Sequence, residues 1–308
     1  YEILIKYQKL MIFTSMNSKL KSIYLGQAIG DALGLATEFM TKEEIAIHYP
    51  NGIKDYNDIH QDDHRSRWSK GSWTDDTDQF LCINRSIKKY GHINTLDIAQ
   101  EFKNWFNDNP MGIGKTTYEI LKLPEYTSRP EKCAEFIWKM KGGDLAPNGG
   151  LMRNAAVAIY SYKNEKEVME NCKKVCQLTH YDTRCVDSCQ IQGLIIAREL
   201  NGGDTKLESI LDAIPSLDKR TVDYLNDTLT DDISTLNLDD SKTWGYTLKS
   251  LCAGLWGYYY AESFEQGLIT IIMEGGDADT NGCIAGSLMG AKFGEIPENI
   301  LNMHYHIS

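Results

Sequence analysis

Apolar residues recur at three- and four-residue spacing along almost all of this 308-residue chain. The pattern predicts helices near 19–36, 77–90, 95–107, 114–122, 131–140, 151–162, 165–178, 185–200, 244–260, 264–273 and 280–293. No stretch alternates apolar and polar residues as a half-buried strand would, and no Pro- or Ser-rich linker divides the chain. The expectation is an all-α fold in a single domain over residues 19–308. Residues 1–18 read as a poorly ordered N-terminal extension without the form of a signal peptide. The polar stretch from about Asn201 to Asp240 has the weakest pattern and reads as short helical pieces in a surface insertion.

Thirty-two Lys and Arg residues against 43 Asp and Glu leave a net charge of −11 with no dense basic run, which argues against nucleic-acid binding. A compact anionic ligand stays compatible, because helix N-termini and divalent ions supply local positive potential. The nearly apolar run from Leu251 to Ala261 is interrupted by Gly254 and Gly257 and is too short for a bilayer, so no membrane partner is expected. Eight cysteines do not make a disulfide framework in a chain of this size and read as reduced thiols. These features predict an intracellular, cytoplasmic protein acting as a monomer.

Two acidic clusters carry the chemistry: Thr74-Asp75-Asp76-Thr77-Asp78 and Asp277-Ala278-Asp279-Thr280. Each stands at the start of an apolar helical stretch, where acids complement the helix dipole and simple capping is the economical reading. Capping needs only one carboxylate or hydroxyl, however, and adjacent Asp75 and Asp76 point about 100° apart on a helix. Carboxylates mixed with threonine hydroxyls are the oxygen ligands that hard divalent cations take. Asp277, Asp279, Asn281 and Gly282 also match the start of an EF-hand loop, but Leu288 stands where the bidentate Glu is required.

Other motifs weigh less. Gly112-Ile113-Gly114-Lys115-Thr116-Thr117 ends like a phosphate-binding P-loop, but Asn109 replaces its first glycine and no buried strand precedes it. Cys172, Cys176, His180, Cys185 and Cys189 are spaced as small apolar residues on helix faces, and His180 reads as a surface or capping residue. Glu38 taken alone is an exposed acid at a helix end. The Gly-rich turn Asn148-Gly149-Gly150-Leu151-Met152-Arg153 could offer backbone N–H groups to a phosphate.

Taken in order, these segments resemble the ADP-ribosylglycohydrolase family over residues 22–297. The resemblance rests on Gly30-Asp31-Ala32-Leu33-Gly34 with Glu38-Phe39, on Trp73-Thr74-Asp75-Asp76-Thr77, on Asn148 to Arg153, on Leu178-Thr179-His180, and on Gly275-Gly276-Asp277-Ala278-Asp279-Thr280. It implies an orthogonal helical bundle around two divalent cations, Mg²⁺ or Mn²⁺, held by Thr74, Asp75, Asp76, Asp277, Asp279 and Thr280. Glu38, Asp76 and Asp277 are the implied catalytic residues, with Glu38 moving the proton without binding metal. Asn148, Gly149, Gly150, Met152 and His180 are implied to contact the substrate around the diphosphate, and Tyr246 is a candidate on the adenine side. Pro147 departs from the family pattern by removing one N–H donor.

The function so implied is a metal-dependent hydrolase cleaving ADP-ribose from an arginine or serine side chain of a protein, or from a related ADP-ribose conjugate. The alternative is a non-catalytic ADP-ribose binder or a structural, crystallin-like member of the same fold.

Overall fold

The computed structural model describes residues 17–302. Fifteen α-helices and short 3₁₀ turns carry the chain, with one isolated bridge, Pro147 to Tyr246, and no strand among the described residues. The all-α expectation holds. Of the N-terminal extension, residues 1–16 lie outside the described part, while the Asn17 side chain caps the helix that begins at Ser18.

Two compact units interleave along the sequence. The first comprises the chain up to Thr77, Thr228–Gly245 and the chain from Cys252 onward; the second comprises Asp78–Asp227 and Tyr246–Leu251.

The first unit is built around α1 (Ser18–Gly34) and α14 (Ala278–Phe293). Gly26, Gly30 and Gly34 share one face of α1, and Gly286, Gly282 and Ala278 oppose them in antiparallel order. A Cβ on Gly30 would stand 1.9 Å from the Gly282 carbonyl oxygen, so only hydrogen lets the two backbones approach this closely. Both helices are buried almost all round, which explains why neither shows a polar face in sequence. Phe264, opening α13 (Phe264–Ile272), is buried beside Gly26.

The second unit contains α3 from Asp78 to Tyr90 of its span Asp75–Tyr90, then α4 (Thr95–Asn107), α5 (Lys115–Leu121), α6 (Pro130–Met140) and α7 (Ala155–Ser161). It continues with α8 (Glu165–Cys176), α9 (Thr183–Asn201), α10 (Leu207–Ala213) and most of α11 (Lys219–Thr228). Gly193 of α9 lets Cys172 of α8 pack close, since a Cβ there would meet its sulfur at 2.7 Å. The four clustered cysteines are therefore free, buried packing residues. Arg153 is fully buried with its guanidinium over the Phe102 ring at 4.3 Å, donating to Gln79 and Thr179.

Differences from the sequence reading have local causes. Helix α2 (Lys42–His48) was not visible because Ile45 is its only buried residue, although Thr41 and Glu44 form a full capping box. The stretch 151–162 shortens to Ala155–Ser161 because the preceding Asn148–Gly150 is a 3₁₀ turn. The 201–240 region is more than a surface insertion: Leu225, Leu236 and Leu238 are buried, and Leu238 lies against Gly276 in the first unit. Among the described residues no helix is long and apolar enough to cross a membrane.

Candidate active site

After α1 the chain turns through Thr37, Glu38 and Phe39. The Thr37 hydroxyl donates to the Ile272 carbonyl at 2.6 Å, the Phe39 amide donates to the Gly276 carbonyl at 2.6 Å, and the Gly276 amide donates to the Met40 carbonyl at 3.0 Å. Gly275 and Gly276 both hold positive φ, 75° and 69°, which glycine tolerates best. Their Cβ positions would collide with the Met40 and Leu238 carbonyls at 2.3 and 1.9 Å. This pairing brings Glu38 to Asp277. Carboxylate oxygens of Glu38, Asp277 and Asp279 lie within 4.8 Å of one another. Asp277 stands at the N-cap position of α14 but makes no side-chain capping bond, so capping does not account for its carboxylate.

The first acidic cluster is anchored by a residue of the Gly30–Gly34 motif to which the sequence reading gave no role. Asp31, fully buried in α1, accepts the Thr74 amide and hydroxyl on one oxygen, both at 2.9 Å, and the Thr77 amide and hydroxyl on the other, at 2.9 and 2.6 Å. That grip orients the start of α3. The Thr74 hydroxyl also lies 3.3 Å from carboxylate oxygens of both Asp76 and Asp279, joining the two clusters. Thr280 is buried next to Asp279, whose carboxylate accepts its amide at 2.9 Å. Asp75 is half-buried at the edge.

Crowded acids in a dry interior resist ionisation. Burial raises Asp31 to about 7 against the pull of its four hydrogen bonds. Burial, then the charges of Asp31 and Asp75, raises Asp76 well above the carboxylate range, and burial followed by the charges of Glu38 and Asp76 does the same to Asp279. Asp76 Oδ1 is buried without a hydrogen-bond partner. An orphaned carboxylate oxygen among mutually repelling acids and threonine hydroxyls is a donor set that fits a hard divalent cation. Positive charge placed there would relieve both the repulsion and the missing bond.

Glu38 is buried, and burial raises its pKa while the His64 hydrogen bond and charge pull the other way. His64 Nε2 lies 2.7 Å from Glu38 Oε2. Arg65, also buried, donates through Nε to the Leu35 and Ala36 carbonyls at 3.0 and 2.8 Å and through its terminal nitrogens to the Glu38 carbonyl and Asp62. It thereby satisfies the carbonyls left open after α1 and holds the Glu38 turn. Glu38, Phe39, Glu44, Asp62 and His64 line a cavity of about 290 Å³. Sequence reasoning missed His64 and Arg65 because the 50–72 segment has no periodicity. The run Asp62-Asp63-His64-Arg65 was the one available signal.

The remaining predicted residues lie in the second unit. Asn148 Nδ2 donates to the Ser250 hydroxyl at 2.9 Å, and the Leu151 and Met152 amides turn back to the Asn148 carbonyl at 2.8 and 3.1 Å. Met152 is buried. His180 is a buried residue rather than a surface or capping one, because the glycine turn packs on it: a Cβ on Gly149 would meet its ring at 2.9 Å, and one on Gly150 its Cβ at 3.3 Å. Burial and the Arg153 charge lower its pKa well below the histidine range, so it is neutral, with Nδ1 2.7 Å from the Thr179 hydroxyl. Thr117, from the P-loop-like segment, is buried next to Gly149. No strand precedes that segment, and Gly114 simply leads into α5. Tyr246 is half-buried, with Arg184 over its ring at 5.6 Å and Tyr224 edge-on at 5.5 Å.

The fold is all-α, and its buried acids and hydroxyls form an oxygen donor set that suits a divalent cation. The sequence model of the ADP-ribosylglycohydrolase family matches residues 14–306, so the chain belongs to that family and is a glycohydrolase. It is 28% identical over 295 residues to the ADP-ribosyl-[dinitrogen reductase] glycohydrolase of Rhodospirillum rubrum, covering 94% of this chain and 90% of the relative. It is 23% identical to the ADP-ribosylarginine hydrolase Tri1 of Serratia proteamaculans (strain 568), covering 90% and 72%. A solved ADP-ribosylglycohydrolase-related protein complex shares the fold with a TM-score of 0.64 at 24% identity, over 93% of this chain and 91% of that one.

Proposed function

We propose that the protein is a divalent-cation-dependent hydrolase cleaving the glycosidic bond between ADP-ribose and an arginine or serine side chain, or a related conjugate. The observation that carries this reading is the meeting of Glu38 with Asp277 and Asp279, next to Thr74 and Asp76. Thr74, Asp75, Asp76, Asp277, Asp279 and Thr280 would hold one or two Mg²⁺ or Mn²⁺ ions. When bound, such an ion supplies Lewis-acid polarisation and orients ribose hydroxyls.

The chain's own groups do the rest. Glu38, buried and raised in pKa, accepts a proton from the attacking water. The water oxygen bonds to the anomeric carbon as the bond to the acceptor nitrogen or oxygen breaks, and Glu38 passes the proton to that leaving atom. Asp76 and Asp277 add negative potential that favours the positive charge developing in the ribose ring. In the second unit, the Asn148 to Gly150 turn, Met152 and His180 are assigned to the diphosphate and Tyr246 to the adenine by the family resemblance.

The test is incubation of the full chain, loaded with Mg²⁺ or Mn²⁺, with arginine-linked and serine-linked ADP-ribosyl peptides. ADP-ribose should be released from at least one, and release should disappear with a chelator and in Asp277→Ala. No release from either peptide would sink the reading.

A further inference from the structure

His64 is held on three sides. Its ring lies 5.3 Å from Phe39 and 5.4 Å, edge-on, from Trp68, and its Nε2 reaches Glu38 Oε2 at 2.7 Å. A fourth contact decides the ring's state: an Arg67 terminal nitrogen hydrogen-bonds to His64 Nδ1, and Arg67 Nε donates to the His64 carbonyl at 3.0 Å. A guanidinium has donors and no acceptor, so Nδ1 must present its lone pair. The ring proton is then on Nε2, facing Glu38. Arg67 is itself braced over the Trp68 ring at 4.5 Å.

We propose that His64 is a positioning residue for Glu38, donating Nε2–H to its carboxylate, and that Arg67 selects the ring tautomer that makes this possible. The proposal rests on the reading of Glu38 as the proton-transfer carboxylate. A carboxylate at the turn after a helix can reach more than one side-chain rotamer. A donor fixed at one of its oxygens removes that freedom and holds the group as an acceptor, the state in which it can take a proton from water. Phe39, held at φ 60° and stacked 5.3 Å from Trp244, supplies the wall that keeps the imidazole from swinging away.

Two measurements on the full chain test this. In turnover assays His64→Leu should lower kcat about tenfold or more with KM, Mn²⁺ affinity and thermal midpoint unchanged. His64→Gln should recover most of the loss, because its amide nitrogen donates from a similar reach. An unchanged kcat in His64→Leu, or an equal loss in His64→Gln, overturns the proposal, as does a fall in thermal midpoint shared by both. Separately, ¹⁵N imidazole shifts should show His64 as the Nε2–H tautomer in the wild type, a tautomer mixture in Arg67→Ala, and a displaced Nε2–H resonance in Glu38→Ala. An Nδ1–H wild-type ring overturns the proposal without any appeal to activity. A wild type that releases no ADP-ribose defeats the functional reading instead, and the tautomer measurement still decides the Arg67–His64–Glu38 chain.

Discussion

The amide of Phe39 donates to the carbonyl of Gly276 at 2.6 Å, tying the turn after the first helix to the glycine pair that leads into the fourteenth. That bond, with its return from Gly276 to Met40, places Glu38 beside Asp277. Gly276→Ala puts a methyl 1.9 Å from the Leu238 carbonyl at φ 69°. Strain and overlap together should cost about 3 kcal/mol or more, read from the urea midpoint. Divalent-cation affinity should fall with it. A variant of wild-type stability would show that the pairing does not depend on glycine.

Gly30→Ala tests the helix contact itself. Its methyl would meet the Gly282 carbonyl, which is backbone and cannot rotate away, so a loss of about 3 kcal/mol or failure to fold is expected. Gly114→Ala is the control. At φ −63° with its nearest neighbour 4.0 Å away, it should change the denaturation midpoint little.

Asp31→Asn keeps the shape of the side chain but replaces one acceptor by a donor. Either the Thr74 or the Thr77 amide and hydroxyl then face an NH₂ group inside the protein. Mn²⁺ affinity measured by titration calorimetry should drop about 10- to 100-fold, because the group that orients Thr74 and Asp76 is lost. Unchanged affinity would remove Asp31 from any role in shaping the site.

Metal removal should expose the strain of the acid cluster through pH. The Asp31 carboxyl, at about 7 when folded and 3.8 ordinarily, keeps a proton that the unfolded chain releases. Its contribution to stability is complete below the ordinary value and is lost as pH rises to the folded one. Asp76, Asp279 and Glu38 shift in the same direction. The thermal midpoint of chelator-treated protein should therefore fall as pH climbs from about 4 to about 7. Saturating Mn²⁺, which binds the ionised carboxylates, should flatten or reverse that slope. A chelated protein whose midpoint rises across the same window would contradict the shifts.

Much of the helical content could be read residue by residue. The spacing over 95–107 coincides with Thr95–Asn107, and Asn94 caps it as its chemistry suggests. The EF-hand alternative fails in the structure for the reason Leu288 implied, since α14 runs through that position without closing a loop. His180 shows the opposite case. A polar residue between two helices looks exposed in sequence, and only the glycine turn packed on its ring buries it and keeps it neutral.

The sequence by itself determined the all-α class, the family and the two acid and hydroxyl clusters, because helix periodicity and motif spacing are properties of neighbouring residues. It could not determine which faces meet. Asp31, His64 and Arg65 carry no periodic signal toward Thr74 or Glu38; they act because α1 lies against α14 through facing glycines and because Gly276 pairs with Phe39. Only that packing turns capping acids into a buried, mutually repelling group, since desolvation and Coulomb repulsion depend on distance in space and not along the chain.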